Sequence, residues 1–152
     1  MNLEWYLFEQ SYLMDIKYDP LGCTLKLEID AKITFEHPDS ANVSNMEDSF
    51  KEIIVQFEGV QYLRLISSLN LLTNPNDDFG SIEQFHLKNS DSIIQEFVTT
   101  GTDGTKILSL GLSGDNVATV NTKSKEIKFV DFISEMISFE LGFEGYTIKE
   151  KK

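Results

Sequence analysis

Cysteine is almost absent: Cys23 stands alone, so no intrachain disulfide can brace the fold. Such usage suits a reducing cytoplasm, although exported bacterial proteins also manage without disulfides. Long apolar runs are missing too. No stretch reaches the roughly eighteen uncharged apolar residues needed for a spanning helix. The opening "MNLEWYLFEQ" lacks a basic region and carries Glu4 and Glu9 among its apolar residues, which is not the composition of a signal peptide. A cytoplasmic address is the expectation.

Positive charge is the third scarcity. Thirteen basic residues face twenty-five acidic ones, a formal charge of −12, and the pI is near 4.5. Such a field repels nucleic-acid phosphates and anionic lipid, so neither is an expected partner. A basic protein is attracted instead, and electrostatic steering raises its association rate. Acidity of this size also serves plain solubility. The one dense basic cluster is the terminal Lys149-Glu150-Lys151-Lys152, which reads as a charged, solvated tail.

Reactive constellations are missing as well. There is no G-x-S-x-G elbow, and "GTDGTK" lacks both the spacing of a phosphate loop and a helix after it, so it reads as a turn. Of the two histidines, His37 stands beside Pro38 in a polar loop and is expected at the surface. His86, between Phe85 and Leu87, is expected half-buried and hydrogen-bonded. Neither has further ligands at metal spacing on a shared element. Cys23 has no base or cation beside it in sequence, so its thiol reads as structural or incidental. The oxygen-rich run Asn74, Asn76, Asp77 and Asp78 lacks the alternating carboxylates and terminal glutamate of a calcium loop. No metal or cofactor is expected. With this many acids some carboxylate pair always looks suggestive, so pairing by itself carries no weight.

What the chain does have is apolar content of 41 % and eleven phenylalanines across 152 residues, enough for one folded domain spanning 1–152. In "YLMDIKYD", Tyr12, Met14, Ile16 and Tyr18 alternate with Asp15 and Lys17. In "TLKLEID", Leu25, Leu27 and Ile29 alternate with Lys26, Glu28 and Asp30. Period two over adjacent runs predicts half-buried strands. Asp19-Pro20-Leu21-Gly22 between them has type I turn chemistry, with Gly22 free to take positive φ.

Further along, residues 37–49 read as a loop broken by Pro38, and "FKEIIVQFEGVQYLRLISS" reads as strand bent at Glu58-Gly59. Residues 70–80 form a second loop. Residues 81–97 fit either a helix opened by Ser81 and Gln84 or two short strands, with the strands preferred. Asp103-Gly104 and Gly114-Asp115-Asn116 punctuate strands in the second half. Residues 129–141 satisfy both a helical stripe and two strands around a bend, and the latter echoes the bent run at 57–63, a hint of internal duplication. The predicted class is mainly β, with α+β as the alternative: an antiparallel sandwich or curved sheet of about eight to ten short strands with one or two short helices.

The "SYLMDIKYD…TLKLEID" hairpin, then "IVQFEGVQYLRL", then the acidic β-rich second half, resembles small acidic bacterial proteins encoded in polymorphic-toxin loci. That resemblance implies an immunity-type, non-enzymatic role: binding a cognate, basic toxin and blocking it. Acids on loops are then the expected contacts, namely Asp39, Glu47 and Asp48 in the first loop and Asp77 and Asp78 in the second. A different class stands beside it, a ligand-binding β-barrel or small hydrolase with a deep pocket around His86 and Tyr12. A structural subunit with a large exposed apolar patch is the third.

Overall fold

Alternating side chains set the architecture from the first strand pair onward. The computed structural model describes residues 2–67, 80–88, 98–100, 106–111, 117–122 and 127–152. Strands β1 (Tyr6–Asp19) and β2 (Thr24–Ile33) form the expected antiparallel hairpin. In β2, Leu25, Leu27, Ile29, Ala31 and Ile33 are all buried, one face of a regular pleat. At the tip Asp19 Oδ1 accepts the Leu21 N–H at 3.0 Å, the local bond that favours aspartate at the start of a turn. The positive φ, however, falls on Cys23 (φ 50°) and not on Gly22. Glycine suits position 22 for a different reason: a Cβ there would lie 2.6 Å from Asp19 Oδ2.

The face expected for β1 is also corrected. Leu13 is the buried residue, at 1 % exposure, whereas Tyr12 and Met14 lie outside. Beyond the second shift Ile16 and Tyr18 return to the core side opposite Leu27 and Leu25, Ile16 packing on the core and Tyr18 staying exposed at the strand end. Two register shifts, between Leu7 and Tyr12 and between Leu13 and Asp15, explain it. Each inserts residues on one strand only, and an odd insertion flips every later side chain to the other face. Ser11 fills the first irregularity: its hydroxyl donates to the Leu7 carbonyl at 2.7 Å and accepts the Lys32 N–H at 3.0 Å.

The remaining strands are β3 (Phe50–Glu58), β4 (Tyr62–Ser67), β5 (Ile82–Lys88), β6 (Val98–Thr100), β7 (Lys106–Gly111), β8 (Val117–Thr122), β9 (Lys128–Ser134), β10 (Ile137–Phe143) and β11 (Gly145–Glu150). They make a four-stranded sheet β1-β2-β3-β11, a second one β4-β10-β9-β5, and a three-stranded ladder β6-β7-β8, all antiparallel. The protein is thus mainly β, and the short helices are 3-10 turns at Leu3–Trp5, Pro38–Asn42 and Met46–Asp48. Among the described residues no sheet closes on itself as a barrel. Residues 129–141 are two strands, because Ser134 forms a tight turn, its hydroxyl donating to the Ile137 carbonyl at 2.6 Å and accepting the Ile137 N–H at 3.0 Å. Ser81 and Gln84 cap no helix, since β5 begins at Ile82. The expected loop at 70–79, the strand piece at 89–97 and the Asp103-Gly104 and Gly114-Asp115-Asn116 turns lie outside the described residues.

The two four-stranded sheets bury one continuous core between them. Phe8 and Phe85 stack at 4.3 Å across the sheets, and Phe132 and Phe139 stack at 4.7 Å within the second. Full burial of such side chains contributes about 1.5–3 kcal/mol each. Two chain passages join the sheets at one corner, both spelled Phe-Glu-Gly: Phe57-Glu58-Gly59 from β3 to β4, and Phe143-Glu144-Gly145 from β10 to β11. Phe57 and Phe143 meet edge to face at 4.8 Å, and the Glu144 N–H donates to the Glu58 carbonyl at 3.0 Å. The matching tripeptide sits at 143–145, displaced from the 129–141 stretch that composition suggested. At the other edge β1 and β5 touch, where the Leu13 N–H donates to the Gly80 carbonyl at 2.6 Å.

Candidate functional site

Ionisable side chains converge beneath the loop that joins β2 to β3. Pro38 starts a 3-10 turn, and the residue before it caps that turn: His37 Nδ1 accepts the Asp39 N–H at 3.0 Å. A nitrogen accepting an N–H carries no proton, so in the neutral ring the hydrogen sits on Nε2. Nε2 then donates to Glu150 Oε1 at 2.6 Å. The same oxygen accepts the Tyr6 hydroxyl at 2.9 Å. Strand β11 thus delivers the glutamate and β1 the tyrosine. Trp5 and Tyr6 turn their rings edge-on to the imidazole at 5.5 and 5.7 Å.

His37 is only 3 % exposed, which overturns its expected surface position. A polar loop hides it because its Asp39 and Glu150 bonds satisfy both nitrogens, removing the penalty of burial. Burial pulls the Glu150 carboxyl upward, but hydrogen bonds from His37 and Tyr6 outweigh it and hold the group below the usual carboxylate range. Tyr6 is pushed far above an ordinary phenol, first by burial and then by the Glu150 carboxylate it bonds. Asp39 lies at the rim, lowered by the Lys51 ammonium 2.8 Å away.

His37, Asp39 and Glu150 offer ligand atoms within 4.8 Å of one another. The hydrogen-bond roles oppose a metal there. A ligating imidazole needs a lone pair facing the ion, yet Nε2 presents a hydrogen and Nδ1 is occupied by a backbone N–H. For the same reason the ring has no nitrogen open to a substrate proton. The arrangement ties β1, β11 and the loop together.

Among known proteins, no family model, curated protein or solved structure matches this chain.

The loop acids expected as contacts separate into two situations. Asp39 is half-buried and paired with Lys51. Glu47 and Asp48 are exposed on the 3-10 turn Met46–Asp48, ordered by Asn45, whose side chain accepts the Glu47 N–H at 3.0 Å and donates to Asp48 at 2.9 Å. Asp77 and Asp78 lie outside the described residues. Across residues 34–49 the loop carries Glu36, Asp39, Glu47 and Asp48 and no lysine or arginine.

The expected half-burial of His86 is corrected, and neither His86 nor Tyr12 is enclosed. His86 is exposed because β5 turns Phe85 and Leu87 inward and His86 outward, opposite Asp131. Tyr12 lies outside on the bulged strand. Instead, an open groove of about 330 Å³ crosses the outer face of the second sheet, lined by Ile66, Gln84, Asp131, Ile133, Ser138 and Glu140 among others. The terminal basic cluster is less of a tail than its composition predicts. Lys149 and Glu150 end β11, and Lys151 bonds Glu28 at 2.8 Å through its ammonium and the Glu52 carbonyl at 2.8 Å through its N–H. Among the described residues no helix is long and apolar enough to cross a membrane.

Proposed function

We propose that this chain is a non-enzymatic, immunity-type protein that neutralises a cognate basic toxin by direct contact, with the β2–β3 loop as its contact surface. One observation carries the reading: His37, Glu150 and Tyr6 are spent on each other in holding the loop, while Glu47 and Asp48 stand outside it. The buried ionisable groups support a surface, and the surface presents negative charge. A net charge of −12 attracts a cationic protein over distance, and the loop, without lysine or arginine, supplies acids placed to meet its cationic cleft.

The test uses the product of the adjacent gene as the candidate toxin, titrated calorimetrically at about 50 mM and about 200 mM salt. The wild-type protein binds it, and the triple variant Asp39→Asn/Glu47→Gln/Asp48→Asn binds at least about tenfold more weakly at low salt, with a shallower salt dependence. Equal affinity of the triple variant removes the loop as the contact. No binding by the wild-type protein overturns the reading itself.

A further inference from the structure

We infer that Phe35 is an apolar anchor that inserts into a hydrophobic pocket on the basic partner, an inference that rests on the binding role above. Phe35 is 81 % exposed, against 44 % for Tyr18 and 38 % for Tyr12, the other exposed aromatic residues among those described. Scattered exposed apolar residues need no special account. This one differs in how firmly its backbone is held.

Thr34 to His37 form a turn in which the His37 N–H donates to the Thr34 carbonyl at 3.1 Å. The Thr34 N–H donates to the Trp5 carbonyl at 2.8 Å, and the Thr34 hydroxyl donates to the Glu4 carbonyl at 2.8 Å. That hydroxyl also accepts the Glu36 N–H at 3.2 Å. The Ser40 hydroxyl donates to the Phe35 carbonyl at 3.0 Å. Beneath the turn, His37 is locked to Glu150 at 2.6 Å. The ring therefore projects from a fixed pedestal, and docking it orders little beyond two side-chain torsions. Pre-organised aromatic side chains of this kind supply most of the binding energy in many interfaces.

The surroundings choose the partner. Glu36 adjoins the ring in sequence, Glu4 lies on the segment bonded to Thr34, and the loop that follows carries no lysine or arginine, Lys51 beyond it being paired with Asp39. Two copies meeting through this end would bring like charges together, and an anionic membrane would repel it. A protein whose apolar pocket is rimmed by lysine or arginine matches both features.

The experiment compares Phe35→Ala, Phe35→Leu and Leu21→Ala with the wild-type protein, using the purified product of the adjacent gene and surface plasmon resonance. Leu21 is 97 % exposed at the hairpin tip, the far end of β2, and serves as the control. Urea unfolding verifies that each variant keeps wild-type stability, as the exposure of both side chains predicts. Phe35→Ala is expected to weaken binding at least tenfold, chiefly through faster dissociation and with an unchanged salt slope. Phe35→Leu restores part of the loss, and Leu21→Ala leaves binding intact. If the wild-type protein binds and Phe35→Ala stays within twofold of it, the anchor is refuted while the binding role stands. If the wild-type protein does not bind, the binding role falls and the anchor with it. Sedimentation showing a dimer that Phe35→Ala dissociates would assign the ring to self-association and overturn the basic partner.

Discussion

His37 makes two hydrogen bonds from one buried ring: it accepts from the Asp39 N–H and donates to Glu150. His37→Ala leaves an N–H without its acceptor and a half-buried carboxylate with one partner fewer. Loss of a hydrogen bond to a charged group costs about 1.5–3 kcal/mol. His37→Ala should therefore lower the unfolding free energy by about 2 kcal/mol or more, measured by urea titration. The other two members of the network set its pH limits. Glu150 is held below its ordinary value in the folded state, so its contribution is complete above about pH 4.3 and fades as pH falls through the folded value. Tyr6 is shifted the opposite way, so its contribution is complete below about pH 10 and fades as pH rises. Unfolding midpoints followed across both limits should show a flatter acid limb in Glu150→Gln and a flatter alkaline limb in Tyr6→Phe. Variants that track the wild-type protein at both extremes would show that the network contributes no stability.

At the level of strands, the corner between the sheets turns on Gly59. Its φ is +63°, and a Cβ would come within 2.5 Å of Glu144 Cγ. Gly59→Ala should cost about 1–2 kcal/mol for the left-handed backbone alone, detectable as a lower thermal midpoint. Asp30 gives a prediction of opposite sign. Burial and the Glu52 carboxylate directly across the ladder raise its carboxyl, so the folded state disfavours the ionised form and stability is lost as pH climbs through the folded value. At neutral pH Asp30→Asn should stabilise by a few tenths to about 1 kcal/mol. A destabilised Asp30→Asn would mean that the carboxylate makes a favourable contact. Strand β2 was legible because its alternation is unbroken from Leu25 to Ile33, and its turn was legible in place, though the positive φ falls on Cys23 and not on Gly22. The face of β1 was not, since bulges leave no mark in a run whose residues on both faces are apolar. Residues 129–141 stayed open between helix and bent strands for a related cause: Phe129, Phe132, Ile133 and Met136 also fit a helical stripe, and the Ser134 turn decides for the strands. The loop was readable as a loop, but its buried lock was not, because Glu150 lies 113 residues from His37. The one local signal was the order His37-Pro38-Asp39, an acceptor placed just before a helical first turn.

Taken whole, the molecule carries charge in two competing forms. Surface pairs such as Lys17–Asp15 at 3.1 Å, Lys51–Asp39 at 2.8 Å and Lys151–Glu28 at 2.8 Å weaken when salt is added. Each is worth about 0–1 kcal/mol at most in such positions. Against them stands an excess of twelve negative charges, whose mutual repulsion opposes compaction and is also screened by salt. The repulsion acts over more pairs and greater distances, and at low ionic strength the screening length of about 30 Å spans much of a domain this size. Repulsion should win. The thermal midpoint is then expected to rise as sodium chloride increases from about 0.01 M to about 0.15 M, where the screening length has shrunk to about 8 Å. Potassium chloride should give the same curve, because the effect is screening and not ion binding. A midpoint that falls over that range would mean that the few surface pairs outweigh the net charge. In that case the acidity would be locally compensated and could not attract a basic partner from a distance.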